Sequence, residues 1–238
     1  MAVKHYHSRW LLLDTPVLPI VLFPVLAASS SGNNGAGGTS HSTAFPIGVA
    51  VGDLLILLFV RGSASTTTWP AGWNSLTSDT ANNYALESRY RFYQAGDSAP
   101  TLTTSITTVS AYRMLRITGA NLTTAPEATT LTVGTSTAPN PGSFDPAGWA
   151  AEDTLWIAVE SDGGTAATTG YPAGYVNTTS AGNAFGGRIS FGTRELNATS
   201  EDPGAFTLPA SVAWSAATIA VRPVSPMAQQ GHFLMFYP

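Results

Sequence analysis

Two stretches of this chain carry the same landmarks in the same order, about a hundred residues apart. Pro46 and Gly48 precede the run Asp53-Leu54-Leu55-Ile56-Leu57-Leu58-Phe59-Val60. Pro146 and Gly148 precede Asp153-Thr154-Leu155-Trp156-Ile157-Ala158-Val159. Then come Trp69-Pro70-Ala71-Gly72-Trp73 and Tyr171-Pro172-Ala173-Gly174-Tyr175, each a Pro-Ala-Gly between two aromatics. Ser110-Ala111 and Ser215-Ala216 mark the closing segments. The offset drifts from 100 (53 to 153) through 102 (70 to 172) to 105 (110 to 215), as loops of unequal length produce after a duplication. Whatever one half folds into, the other must fold into as well.

Each half reads as β-structure. A short apolar run bounded by turn residues suits a strand buried on both faces, which places strands at 53–60 and 153–159. Leu86 to Tyr93 alternates instead: Leu86, Tyr90 and Phe92 face one way, and Glu87, Arg89 and Arg91 face a wet or partner-covered side. Thr101 to Ser105 and Val109 to Ile117 complete repeat one. Arg188 to Leu196, Ala205 to Leu208 and Val212 to Val221 complete repeat two. Neither half sustains a 3.6-residue period. Only 10% of residues are charged, far below the quarter of an ordinary domain, which also disfavours long surface helices. Two separate four-stranded sheets would each have a thin core, whereas a shared one buries more per residue. The expected fold is therefore all-β: a jelly-roll-like or Ig-like β-sandwich built from two related repeats (43–119 and 138–223), with two tandem sandwiches as the alternative.

Both ends fall outside the repeats. Residues 1–28 imitate a signal peptide, with Lys4 and Arg9 ahead of an apolar stretch. Asp14, Pro16, Pro19 and Pro24 interrupt that stretch, and it makes a poor membrane span. It reads as a retained, extended arm, with a cleavable signal as the alternative. Residues 29–42, SSSGNNGAGGTSHS, read as a flexible linker by composition. Residues 224–238 form a tail that ends on Phe233-Leu234-Met235-Phe236-Tyr237-Pro238. Burying each large apolar side chain is worth roughly 1.5–3 kcal/mol, so this tail, and Trp10, Leu11, Leu12 and Leu13 in the arm, are the candidate partner-binding residues. An arm of residues 1–42 reaches at most about 140 Å when extended, enough to lie along a neighbour or add to its sheet edge.

Little in the sequence carries chemistry. There is no cysteine, which removes disulfides, thiolate metal sites and cysteine nucleophiles. The net charge of −4 and the scattered arginines argue against a nucleic-acid groove. His5, His7, His41 and His232 lie outside the repeats and read as exposed or partner-packed. Gly96-Asp97-Ser98 looks like an esterase nucleophile block but lacks a base, and reads as a turn. Glu152-Asp153, Glu160-Asp162 and Glu201-Asp202 are the carboxylate pairs that glycoside hydrolysis would draw on; strand ends and turns explain such acids equally well, and a calcium loop is the other option. No catalytic, cofactor or metal residue is assigned. The Pro-Ala-Gly aromatics read first as scaffold, since Pro and Gly set a turn and the rings pack beside it. As the alternative, Trp69, Trp73, Tyr171 and Tyr175 would stack on sugar rings.

The run Phe45-Pro46 to Val60, with Gly52-Asp53-Leu54-Leu55, resembles the opening of β-rich virion-associated proteins of tailed bacteriophages and prophages. Thr193-Arg194-Glu195-Leu196-Asn197, Glu201-Asp202-Pro203-Gly204 and Ala216 to Pro223 are similar to the second half of the same group. The resemblance covers residues 43–223 and supplies no catalytic residues. It implies a non-enzymatic structural protein on the outer surface of the virion, of which a capsid decoration or cement protein is the leading form. Its partners would be the major capsid protein or other virion proteins, with homo-oligomers expected and neither nucleic acid nor membrane. The alternative is a fibre or tail module that binds host surface glycans.

Overall fold

The structure, a computed structural model, describes residues 22–79, 81–182 and 187–224. Twelve strands are present: β1 Val25–Ser42, β2 Leu54–Arg61, β3 Thr67–Thr68, β4 Asn74–Thr77, β5 Leu86–Phe92, β6 Thr101–Thr118, β7 Glu127–Ala128, β8 Thr132–Ser136, β9 Glu152–Asp162, β10 Val176–Gly182, β11 Arg188–Ala198 and β12 Val212–Val221. They form two six-stranded sheets, with every ladder antiparallel. The first runs β1-β6-β2-β5-β4, with β3 also on β6; the second runs β10-β11-β9-β12-β7, with β8 also on β12. Each repeat therefore supplies one whole sheet. The registers superimpose: Leu55 lies between Arg91 and Arg116, and Trp156 between Arg194 and Ala220.

The sheets face each other across one core. Leu54, Ile56, Leu58 and Val60 of β2 meet Leu155, Ile157 and Val159 of β9, with Leu115, Ile117, Phe191 and Ile219 beside them. Hydrogen bonds also cross between the halves: Ser161 Oγ donates to the Tyr84 carbonyl at 2.7 Å, and the Leu86 amide donates to Ser215 Oγ at 2.8 Å. Tandem sandwiches are thereby ruled out.

Each sheet has a second apolar layer on its outer face. On the first it holds Leu55, Leu57, Phe59, Trp69, Trp73, Leu102, Tyr112 and Met114. On the second it holds Trp149, Trp156, Ala158, Tyr175, Phe206 and Ala220. This is why all eight residues of β2 are buried, and why its sequence is a continuous apolar run rather than an alternating one.

Four expectations need correction. Residues 29–42 are not a linker: they belong to β1, which pairs with β6. Small polar residues leave nothing for a periodicity to detect, but an edge strand needs only its backbone to pair. At Gly32 a Cβ would stand 2.6 Å from the Tyr112 ring, so the ring fills the space a side chain would take. The body thus begins at Val25 rather than residue 43, and the second sheet begins at Glu127 rather than 138. The two strands expected over 101–117 are one strand, β6. Its first half forms a ribbon with the end of β1 that folds over the outer face, burying Leu102 and His41. In repeat two the segment 205–208 is no ladder strand: Thr207 makes an isolated bridge to Gly170, and the Phe206 and Leu208 amides donate to the Pro139 and Thr137 carbonyls at 2.8 Å.

Candidate functional site

The Pro-Ala-Gly motif closes each outer layer. Gly72 (φ +85) and Gly174 (φ +78) take the left-handed conformation that glycine permits, which turns the second aromatic back toward the sheet. Above the first sheet, Trp69 meets Phe59 edge-on with centroids 6.3 Å apart and lies 6.4 Å from Trp73. The Arg89 guanidinium lies 5.0 Å from the Trp69 ring, and that of Arg91 6.0 Å from Trp73. These arginines are the polar face of β5, which the motif covers. A matched clamp holds each turn. A Cβ at Gly72 would lie 3.6 Å from the Arg91 guanidinium, and one at Gly174 3.6 Å from that of Arg194. Arg91 pairs with Asp97 at 2.8 Å, and Arg194 with Glu201 at 2.9 Å. The Tyr175 hydroxyl donates to Glu201 at 3.2 Å, and burial pushes that phenol far above its ordinary value.

The sugar-stacking alternative needed exposed rings. Trp69, Trp73 and Tyr175 are 9%, 5% and 8% exposed, and half-buried Tyr171 lies edge-on to Phe206 at 5.8 Å. The four rings are packing, not a platform. Gly96-Asp97-Ser98 is a turn, in which the Asp97 carboxylate accepts from the Gln94 amide at 2.8 Å. Glu152 pairs with Arg222 at 2.6 Å, and Asp153 accepts from Asn197 at 2.7 Å. The candidate partner-binding residues Trp10, Leu11, Leu12, Leu13, Phe233, Leu234, Met235, Phe236 and Tyr237 lie outside the described residues.

Two buried polar clusters remain. In the first, His41 Nδ1 lies 2.7 Å from Ser110 Oγ and Nε2 lies 3.0 Å from Thr104 Oγ1. Thr104 donates to the Ile106 carbonyl at 2.8 Å, so it accepts from Nε2–H, and Ser110 donates to Nδ1. Burial lowers the imidazole pKa and keeps the ring neutral. A hydroxyl, Thr104, stands where acyl-transfer chemistry needs a carboxylate to hold an imidazolium. The cluster pins the folded-over ribbon to the sheet. It also corrects the reading of His41 as an arm residue.

The second cluster lies on the outer face of β9. Glu160 and Asp162 are 0% and 1% exposed. Glu160 Oε1 accepts from Thr168 at 3.1 Å, Thr168 lies 2.6 Å from Ser190 Oγ, and Asp162 Oδ1 accepts from the Gly164 amide. Glu160 Oε2 and Asp162 Oδ2 have no partner. Arg188 stands opposite Asp162 in the ladder but spends its terminal nitrogens on the Thr165 carbonyl at 2.7 Å and on Ser180 at 3.2 Å. Burial, then the Asp162 charge, drives the Glu160 carboxyl well above its usual range. Burial drives Asp162 up to about 6. One proton held between the two acids satisfies both orphan oxygens. A cleft of about 210 Å³ opens beside Asp162, between Gly163 to Ala166 and Leu208 to Ala210. Among the described residues no three His, Cys, Asp or Glu side chains converge as a metal site requires. A signal for this cluster stands in the sequence: in Trp156-Ile157-Ala158-Val159-Glu160-Ser161-Asp162, a period of two puts both acids on the face of buried Trp156.

The two terminal segments share an exit. Val25 pairs with Thr118 at the end of β6. The next residue, Gly119 (φ +72), lies against Phe23 and Pro24, and its carbonyl accepts from the Val224 amide at 2.9 Å. Ala120 bridges to Pro223. Around this one turn Leu22, Val25, Leu122 and Val224 are exposed. No family of proteins, no curated protein and no solved structure matches this chain.

Proposed function

We propose that this chain is a non-enzymatic structural protein of a tailed-phage particle, a decoration or cement protein on the outside of the head. The observation that carries the reading is the shared exit. Two apolar terminal segments, residues 1–21 and 225–238, leave the sandwich beside the same turn and amid exposed apolar residues. The aromatics of the Pro-Ala-Gly turns are spent on the body's own outer layers, and the sequence concentrates further large apolar residues in the two terminal segments. Burying them on the major capsid protein, or on another copy of this chain, gives a many-point attachment while the sandwich holds the two segments together. The virion setting rests on the resemblance of residues 43–223.

The test is to count this chain against the major capsid protein in gradient-purified particles by quantitative mass spectrometry. A comparable copy number supports the reading, a handful per particle moves the chain to a tail or fibre, and absence overturns it. Removal of 1–21 or of 225–238 should abolish attachment and leave the β-sheet circular dichroism intact. The first cut stops at residue 21 because Val25 to Ala28 already pair with β6.

A further inference from the structure

Five of the outermost strands are poor templates for another chain. β4 has four residues and a bulge after Ser75; β10 has a bulge after Val176. β7 and β8 have two and five residues, and β3, on β6 alone, has two as well. The remaining one, β1, is different. It has 18 residues with neither a proline nor a charged side chain, and among the described residues it pairs only with β6. Charges, prolines, bulges and short length are what keep sheet edges from pairing with other chains. The stretch Val25 to Asn34, before the bulge that follows Asn34, has one irregularity, between Leu26 and Ala28. Among the described residues no strand covers this edge of the first sheet.

The geometry points to an occupant: residues 228–237 of a second copy, AQQGHFLMFY, added antiparallel to β1. This rests on the assembly reading above and names its donor and acceptor. The segment has no proline and no charge, and it matches in length the ten residues of the free edge. Its own chain cannot supply it in the direction that both sheets use. The tail leaves at Val224, beside Gly119, which is the end of the sheet where β1 starts. A continuation along the edge from that point would run parallel to β1. To return antiparallel it must first travel the ten-residue edge, about 33 Å. Antiparallel pairing places Ala228 beside Asn34, whereas residues 225–227, which separate Val224 from Ala228, let it move at most about 14 Å from Val224. A tail from a second copy has no such restriction. It would add a backbone ladder and bring Phe233 to Tyr237 beside the exposed Val25 and Leu22.

The absence of native cysteine makes a clean test. One population carries Ser29→Cys or Ser31→Cys, the other Phe233→Cys or Leu234→Cys, and the two are mixed and oxidised. A mixed disulfide dimer should form at least tenfold more readily than with Val176→Cys on β10 as the acceptor. Adding Ser29→Pro and Ser30→Pro to the Ser31→Cys chain, one of which removes an outward amide, should abolish it. If oligomers are seen by light scattering but no mixed disulfide forms, this inference fails and the assembly reading stands. If the doubly substituted chain closes on itself and remains a monomer, the tail occupies its own edge and the inference also fails. An edge freed for cross-linking only by deleting residues 1–21 would show the N-terminal segment there, and would overturn it equally. Monomers at all concentrations, with no attachment to particles, would sink both readings.

Discussion

The outer layers of the two sheets share a plan and differ at its centre. Phe59 lies between Glu87 and Tyr112; at the same place Glu160 lies between Ser190 and Ala216. Two residues on, Arg61 corresponds to Asp162. In the first sheet the charges balance: Arg61 pairs with Glu87 at 2.7 Å, and Thr67 and Trp69 each donate to that carboxylate at 2.8 Å. In the second, two acids lie side by side, and the nearest arginine is engaged elsewhere. The aromatic turn and its arginine clamp are common to both layers; the buried charge is not. A packed layer tolerates either solution, provided each buried carboxyl finds a cation, a donor or a proton. One layer holds an ion pair at its centre and the other depends on a proton.

The largest effect should come from unbalancing the first layer. Arg61→Ala leaves Glu87 buried without its cation and should cost about 3–5 kcal/mol, read as a lower urea midpoint with an unchanged slope. The second layer should respond in the opposite sense. Both acids have folded-state pKa values raised above ordinary carboxylates, so their stabilising contribution is complete below about pH 4. It is lost as pH rises through about 6 for Asp162, and through a folded-state value well above the ordinary carboxylate range for Glu160. Glu160→Gln keeps a neutral side chain there and should gain on the parent progressively as pH rises above 6. Parallel melting curves from pH 5 to 9 check this, and no divergence would mean that the acids are not sharing a proton. Gly72→Ala and Gly174→Ala should each cost about 1–2 kcal/mol. The two costs should match, since both positions have positive φ and ordinary contact distances; a large inequality would break the equivalence of the turns. The smallest effect belongs to Asp97→Asn, about 0.5 kcal/mol by chemical denaturation, because the Arg91 pair is partly solvated. Glu201→Gln should exceed it, since Glu201 also accepts from Tyr175.

What could be read from the residues follows from what side chains report. Asp53 to Val60 and Asp153 to Val159 announce central strands because burial on both faces forces a continuous apolar run. The duplicated Pro-Ala-Gly announces a turn because Pro and Gly restrict φ in known ways. Ser29 to Ser42 says nothing about pairing because its strand is held by backbone amides and by a ring from the next strand, Tyr112 over Gly32. Arg61 and Glu87 are legible only once β2 and β5 are laid in register, since nothing in the distance between 61 and 87 predicts the ion pair. The shared exit at Gly119 is likewise a property of the closed fold: residues 24 and 224 are two hundred apart in the chain and meet only through β6 and β12.

That meeting point decides how the molecule carries load. Tension between the two terminal segments enters at Pro24 and Val224 and is opposed first by one hydrogen bond to Gly119 and the Ala120–Pro223 bridge. The core strands lie off this line of force. Pulled from its two ends, the sandwich would open like a clasp at one corner before any core ladder was sheared, so a neighbour tugging on both segments would stretch a small local contact rather than the body.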